Sequence, residues 1–528
     1  MENVCDNRIN DIRSQVEARV EAEDIQRKVE EKKEPGPDDK FFLDCFYTGE
    51  LGHGIAYAYL HRNKALYVAA LKEWFVYKNH AWGLDVKNES TAWVENVVEK
   101  YFLLIRNLDG FIKDLQAKGN MEDVIKKTQK EQGAIWKVIK SLRKVSMRKI
   151  VLEAAMTCEN PLVKHGREFD QLPYKMAVAN GVLNLKLGEC QPGDPEDLLS
   201  KTCPTKMPEN PLGSQLGNKW KQFLLDIMGG DQVMVDFLQR LLGLAIIGKV
   251  IEHIFVICTG SGRNGKTTLF EVLMKVLGPD MCSPVRPELI LDTYQVQNPS
   301  APNPEISSLR GKRVAIISEI KEGSRASSYK IKQLTGGDAL TGRGPYDRYA
   351  ITFDPSHTLF LLSNYLPDLD GNDKALRERI ITIPFNMKFV DKPTKPHHLK
   401  KDRFIIEKLL AEKSAILSWL VEGCLIWQME GLNPPQKVRE TTEEYLDDED
   451  VYSNFIEECL IQGDDLQIQA APLHDGFCKW WKKNISNFPP KQARFGRRMK
   501  NFFIKDRSTG GNIYYFGIDL KEEWLQTE

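Results

Sequence analysis

Nine consecutive residues, Gly260-Ser261-Gly262-Arg263-Asn264-Gly265-Lys266-Thr267-Thr268, have the types and spacing that hold a phosphate. Glycines let the backbone turn tightly, so successive N–H groups face inward on phosphate oxygens, and a helix starting there adds its positive end. In the pattern G-x-x-x-x-G-K-T, Lys266 reaches the β- and γ-phosphates of a nucleoside triphosphate and Thr267 holds Mg²⁺. The same residues read G-x-G-x-x-G through Gly260, Gly262 and Gly265, a dinucleotide signature. Against that reading stand the Lys-Thr pair and the lack of a clean strand ending in an acid about 20 positions on.

The flanking elements fit the phosphate reading. The apolar run Ile254–Ile257 predicts a strand into the loop, and an amphipathic segment ending near Leu277-Gly278-Pro279 predicts the helix out of it. A second buried-type strand, Arg313 to Glu319, is expected beside the first, with Glu319 placed near Mg²⁺ to polarise the attacking water. A third, Thr358 to Asn364, ends in an amide that can hydrogen-bond the γ-phosphate or that water. Arg377-Glu378-Arg379 precedes a strand over Ile380 to Phe385, and an arginine there could stabilise transition-state charge across a subunit boundary. Between these, Lys330 to Tyr349 predicts a helix ending at Gly336-Gly337 and then a basic, glycine-rich hairpin suited to phosphate-backbone contact.

The rest of the chain sets bounds. Over 528 residues, 73 Lys and Arg balance 74 Asp and Glu, so any nucleic-acid surface must be local. The 10 cysteines are scattered without a C-x-x-C pair, which predicts a reduced protein without a zinc site, and His397-His398 reads as a solvated pair. No apolar run reaches about 18 residues and no signal peptide opens the chain, so a soluble, cytoplasmic protein with no membrane partner is expected.

In chain order, residues 1–40 read as a charged arm and 41–170 as mainly helical, with helical periodicity over Ile55–Leu71 and Ala92–Ile112 and a hairpin at Trp74–Tyr77 and Trp82. Residues 171–215 read as short strands and 216–395 as the core with a preceding helical pair, Trp220–Met228 and Gln232–Ile247; Pro279 to Pro304 reads as loop. Residues 396–446 form a helical extension with one long helix over Arg403–Met429. Asp447 to Asp450 reads as a linker. Residues 447–528 then read as a small helical unit with a terminal hairpin, in which Arg494, Arg497, Arg498 and Lys500 mark a recognition helix over Gln492–Phe503 of a winged-helix-like DNA-binding module.

Taken together, Asn before Gly-Lys-Thr, a strand ending Ser318-Glu319, Leu-Thr-Gly-Gly-Asp338, a strand ending Ser-Asn364-Tyr-Leu-Pro and Arg377-x-Arg379-Ile-x-x-Ile-Pro-Phe385 resemble superfamily 3 helicases. The resemblance is to the phage, plasmid and poxvirus helicase-primase branch. With Ala179-Asn-Gly-Val-Leu-Asn-Leu and Leu238-Gln-Arg-Leu-Leu-Gly it runs over residues 45–528. It implies an AAA+-like α/β phosphate-loop NTPase core with a mainly helical N-terminal domain and a small winged-helix-like C-terminal domain. It also implies hexameric rings, Mg²⁺-ATP hydrolysis at subunit interfaces and 3′-to-5′ movement on single-stranded or forked DNA of a virus, phage, plasmid or other mobile element.

Carried across, Lys266 and Thr267 bind phosphate and Mg²⁺, Glu319 is the Walker B acid, Asn364 is sensor 1 and Arg379 the finger. Lys332, Arg343 and Arg348 fall in the segment of the DNA-binding hairpin. Glu378 separates two arginines that are adjacent in some members, which keeps Arg377 as a rival finger. Because Ser318 precedes Glu319, the Walker B acid is single. Residues 1–170 lack a strand-borne D-x-D pair, so primer synthesis is expected to be absent or supplied by a separate primase or polymerase. An origin-binding initiator that melts DNA without processive unwinding needs the same ATP site and stays open as the alternative; a small-molecule kinase would leave Arg379 and the basic segments without a role.

Overall fold

The computed structural model describes residues 38–119, 121–209, 217–292, 303–343, 350–369, 373–484, 489–507 and 512–525, with backbone alone at 447–451, 453, 493, 494, 497 and 501. Most of the expected charged arm and Arg348 lie outside the described residues, as do the side chains of Arg494 and Arg497. The chain divides into two compact units, Met1–Thr202 and Cys203–Glu528. Among the described residues no helix is long and apolar enough to cross a membrane.

In the first unit, Val94, Val97, Val98, Tyr101, Leu104 and Ile105 repeat at three- and four-residue steps and are all buried on the helix Val94–Lys118. The helix Glu50–His61 packs so closely on Val145–Thr157 that a Cβ at Gly54 would lie 2.4 Å from the Ala154 Cβ. The expected helix over Ile55–Leu71 is cut short. Ala65–Val68 is a strand, antiparallel to Glu73–Lys78 with Ala65 opposite Val76, because a four-residue apolar run fits either period and here finds a cross-strand partner. The expected hairpin is present. Glu73–Lys78 pairs with Ala81–Leu84 through Asn79 and His80, both at positive φ (50° and 66°), as a two-residue primed turn requires. Residues 172–191 supply antiparallel strands Lys175–Val178, Gly181–Asn184 and Glu189–Gln191.

The second unit is built on a five-stranded parallel sheet: β1 (Phe255–Thr259), β2 (Cys282–Val285), β3 (Val314–Ser318), β4 (Thr358–Ser363) and β5 (Ile380–Pro384), in the order β2-β3-β4-β1-β5. Its strands are near-continuous apolar runs because both faces are covered. Phe255, Ile257, Ala315, Ile317, Leu359 and Leu361 share one core with Ile331, Leu334 and Tyr445. On the other face Phe360 meets Phe270, ring centroids 5.1 Å apart.

Two expectations change here. The strand ending in Glu319 is not beside β1, since β4 lies between them. The Pro279–Pro304 loop contains β2, an edge strand that accommodates Pro284 because one of its sides carries no ladder.

Helices α1 (Asn218–Ile227) and α2 (Gln232–Ala245) precede β1, and α3 (Lys266–Leu277) follows the glycine loop. Next come α4 (Ser328–Thr335) and the hairpin Leu340–Gly342 with Ile351–Phe353, whose tip lies outside the described residues; α5 (Lys374–Arg377) leads into β5. The long helix expected over Arg403–Met429 is two, α6 (Ile405–Leu410) and α7 (Lys413–Glu430). Glu412 at the break accepts from the Trp220 backbone N–H at 3.1 Å and so serves the start of α1. Helix α7 is in backbone contact with α2: a Cβ on Gly243 would stand 2.2 Å from the Cys424 nitrogen.

Asp447 to Asp450 forms no linker but lies inside α8 (Gln436–Cys459), a continuous helix into the C-terminal module. That module holds β8 (Leu460–Gln469), which the sequence reading missed, then α9 (Ala470–Asn484), α10 (Gln492–Phe502), β9 (Lys505–Arg507) and β10 (Ile513–Leu520). The strands form an antiparallel sheet in the order β8-β10-β9. Strands β6 (Lys388–Val390) and β7 (His398–Lys400) form a separate parallel ribbon.

Two outcomes follow from this packing. Burial holds His53 and His61 near a pKa of about 4, below the ordinary histidine value, each accommodated as a neutral ring. His53 Nδ1 shares a 2.7 Å hydrogen bond with the Tyr101 hydroxyl, and His61 Nε2 donates to the Trp93 carbonyl at 3.2 Å. The unfolded chain binds protons that the fold refuses, so stability is full above about pH 6.5 and falls as pH drops through about 4. The melting temperature of the first unit should be lower at pH 4.5 than at pH 7, and less so in His53→Gln; equal drops would contradict this. Separately, Gly243→Ala should destabilise the second unit by roughly 3 kcal/mol in denaturant titration, since neither helix can yield a methyl's width without moving backbone.

Candidate functional site

Strand β1 is buried from Phe255 to Cys258 and delivers the chain at Thr259 to the sheet's carboxyl edge, where open parallel sheets bind ligands. The turn that follows is forced by its backbone: Gly260, Gly262, Arg263 and Gly265 all take positive φ. Gly265 is constrained twice, by a φ of 88° and by the Ile227 Cγ2 that would lie 2.4 Å from any Cβ. Asn264 is buried and donates through Nδ2 to the Phe385 carbonyl at 3.2 Å, tying the loop to the end of β5. Ser261 and Thr267 are exposed and Thr268 half-buried at the start of α3.

Lys266 is 5% exposed, and its ammonium donates to the Gly260 carbonyl (2.9 Å), the Ser363 carbonyl (2.9 Å) and Asn364 Oδ1 (3.2 Å). All three acceptors are neutral, and among the described residues it has no ion pair. Burial pushes its pKa down, partly offset by the Cys258 thiol and the Glu319 carboxylate. A buried cation held only by neutral oxygens is a site for an anion, because an isolated charge away from water is costly. The arrangement therefore suits a phosphate chain.

Asn364 follows β4, and its bond from Lys266 fixes the oxygen, leaving Nδ2 as a donor. Glu319 follows β3 with an exposed side chain and a φ of 61°, rare for a residue with a Cβ. Its backbone N–H bonds the Leu362 carbonyl at 2.9 Å, so the two strand ends are tied together. Lys266, Asn364 and Glu319 thus lie at the same edge of the sheet.

Arg379 does not. Its carbonyl accepts from the Phe255 N–H, at the start of β1, about five residues or roughly 16 Å along the strand from the glycine loop. The guanidinium donates to Thr335 Oγ1 at 3.2 Å, against the carboxyl end of α4. Arg377 lies at that same far end, on α5.

The DNA-contact candidates are altered by their partners. Lys332 forms a 2.6 Å ion pair with Asp373, the N-cap of α5, and that bond holds the Asp373 carboxyl below its usual range. Arg498 is turned inward: its Nη1 donates to Asp368 Oδ1 at 3.0 Å, with side-chain exposures of 19% and 8%. Lys332 and Arg498 are therefore engaged within the protein. Arg343 follows the 340–342 strand, and Lys500 is exposed on α10. The aromatics interleaved with the basic residues are core, Trp480 and Phe495 fully buried. Asp373 had a legible signal, an Asp ahead of a short helix; Asp368 had none, being 130 positions from its partner.

A family described as D5 N terminal like matches residues 54–229. The chain is 28% identical over 456 residues to a protein named "Putative helicase" of Acanthamoeba polyphaga mimivirus, covering 83% of this chain and 46% of that protein. It is 28% identical over 262 residues to a second of that name from Frog virus 3, covering 47% of this chain and 26% of that protein. This chain thus spans less than half the length of either relative. The solved apo structure of the NrS-1 C terminal region aligns over 86% of this chain and 96% of that chain at 11% identity and a TM-score of 0.37. Residues 54–229 thus match the D5 N terminal like family, and most of the chain is similar to viral proteins named as putative helicases.

Proposed function

We propose that the chain is an ATP-driven motor acting on DNA in replication, a ring-forming helicase moving 3′ to 5′. The observation that carries this is the buried Lys266 ammonium, held by neutral oxygens where a glycine turn, a helix start and two strand ends meet. The loop N–H groups and Lys266 bind and orient the triphosphate. Thr267 and Glu319 are the residues to hold Mg²⁺, which when bound supplies charge neutralisation at the β- and γ-oxygens. Glu319 polarises the attacking water through its carboxylate, and Asn364 Nδ2 orients that water or the γ-phosphate.

Arg379, at the opposite edge of its own sheet, cannot serve the site that its own chain carries. It fits a role as finger to a neighbouring subunit's nucleotide, which makes assembly a condition of hydrolysis, with a hexameric ring as the expected form.

Complementation tests the site and this geometry together. Lys266→Ala and Arg379→Ala should each lose ATP hydrolysis by about 10³-fold or more, Arg379→Ala still binding nucleotide. Mixed before assembly, the two should regain part of the rate, since some interfaces then pair an intact site with an intact finger. A mixture as inactive as its parts would place the arginine's role within one chain, and a fully active Arg379→Ala would move the finger to Arg377 or remove it.

A further inference from the structure

Between β5 and α6 the chain carries Lys388, Lys392, Lys395, Lys400, Lys401 and Arg403 against two acids, Asp391 and Asp402. Asp402 is engaged, accepting from Lys408 at 2.6 Å and from the Phe404 N–H at 2.9 Å. Among the described residues none of those six cations forms an ion pair. The His398 imidazole is held below its ordinary pKa by burial and by the charges of His397, Lys395 and Lys388, a mark of positive potential along the ribbon.

A two-stranded parallel ribbon has little stability of its own. This one is anchored where the Phe389 N–H donates to the Arg263 carbonyl of the glycine loop at 2.7 Å, and its ring would lie 3.5 Å from a Cβ on Gly265. Beside the ribbon is a cavity of about 480 Å³ lined by Asp391, Lys400, Lys401, Asp402, Arg403 and Phe404. Phe404 is 66% exposed.

We propose that this ribbon binds single-stranded nucleic acid, with one base stacked on Phe404 in the cavity and the backbone phosphates on Lys400, Lys401 and Arg403. The proposal rests on the reading of the chain as a DNA motor and names a contact outside the 340–353 hairpin and α10. Unpaired cations flanking one exposed aromatic are the pairing by which single strands are held, phosphates on charge and bases on π-faces. The cavity is open to solvent and, at about 480 Å³, large enough for a nucleotide. Because the ribbon is bonded to Arg263, a strand seated here would press on the glycine loop directly.

The test uses the full chain and a fluorescein-labelled oligothymidylate, read by anisotropy without ATP. Phe404→Ala should weaken binding roughly 5- to 100-fold with an unchanged salt slope, and Phe404→Tyr should keep wild-type affinity. Lys400→Ala/Lys401→Ala/Arg403→Ala should weaken it and reduce the slope of log affinity against log salt by about 2. Wild-type affinity in both the Phe404→Ala and the triple variant overturns the proposal. So does a raised KM for ATP in Phe404→Ala with oligothymidylate binding unchanged, which would assign the cavity to the nucleoside of ATP. Loss of binding to phosphatidylserine vesicles alone overturns it in favour of a membrane. Phe404-dependent DNA binding by a wild-type chain that hydrolyses no ATP would sink the motor reading and leave this contact standing.

Discussion

The ammonium of Lys266 sits out of water against the Gly260 and Ser363 carbonyls and the Asn364 amide, with no ion pair among the described residues. That contact can exist only if β1 and β4 are neighbours, since one supplies Gly260 and the other Ser363 and Asn364. It also needs the backbone turned back on itself over 260–265, which accounts for positive φ at Gly260, Gly262 and Gly265 and for the backbone bond from Gly262 to Gly260 at 2.9 Å. Burial that lowers the lysine's proton affinity is the same burial that raises its attraction for an incoming anion. Much of the second unit reads as support for this point. Ile227 closes against Gly265 from α1, Asn264 bonds Phe385 at the end of β5, and Phe389 bonds Arg263.

The same architecture links the site to distant parts of its unit. The segment after Asn364 runs to Asp368, whose backbone is bonded to Ser324 and Ala326 in the segment after Glu319. Arg498 of α10 docks on that same Asp368, and Tyr445 of α8 bonds the Pro367 carbonyl. Both loops that leave the sheet edge therefore meet the C-terminal module at one aspartate. At the opposite edge, α4 carries Lys332 toward Asp373 and holds Arg379 through Thr335, so the hairpin-bearing segment and the candidate finger share one support.

The glycine loop, β1, β3, β4 and β5 were legible because each is a run of local choices that agree: apolar stretches of strand length, a glycine turn and an amphipathic helix. The order of the strands was not. Nothing in Arg313 to Glu319 says that β4 will come between it and β1, since pairing is decided by partners far along the chain. β2 was hidden by Pro284, and β8 by a polar sequence, Gln462-Gly-Asp-Asp-Leu-Gln, where the pairing with β10 shifts register between Gln462 and Gln467. The acids at 447–450 looked like a linker because charge suggests solvent, yet a helix surface is equally solvated. Lys332 is expected at DNA from its place in the hairpin segment and Arg498 from its place on a basic helix. Neither signal reveals that Asp373 and Asp368 are their partners within the chain.

The claim at the centre of this account is that nucleotide held at Lys266 drives strand separation. The direct measurement is ATP-dependent strand displacement by the wild-type chain on forked DNA carrying either a 3′ or a 5′ tail. Displacement from the 3′-tailed fork alone is the predicted result. ATP hydrolysis stimulated by DNA with no displacement from either fork would contradict it and favour an initiator that uses ATP for assembly and local melting.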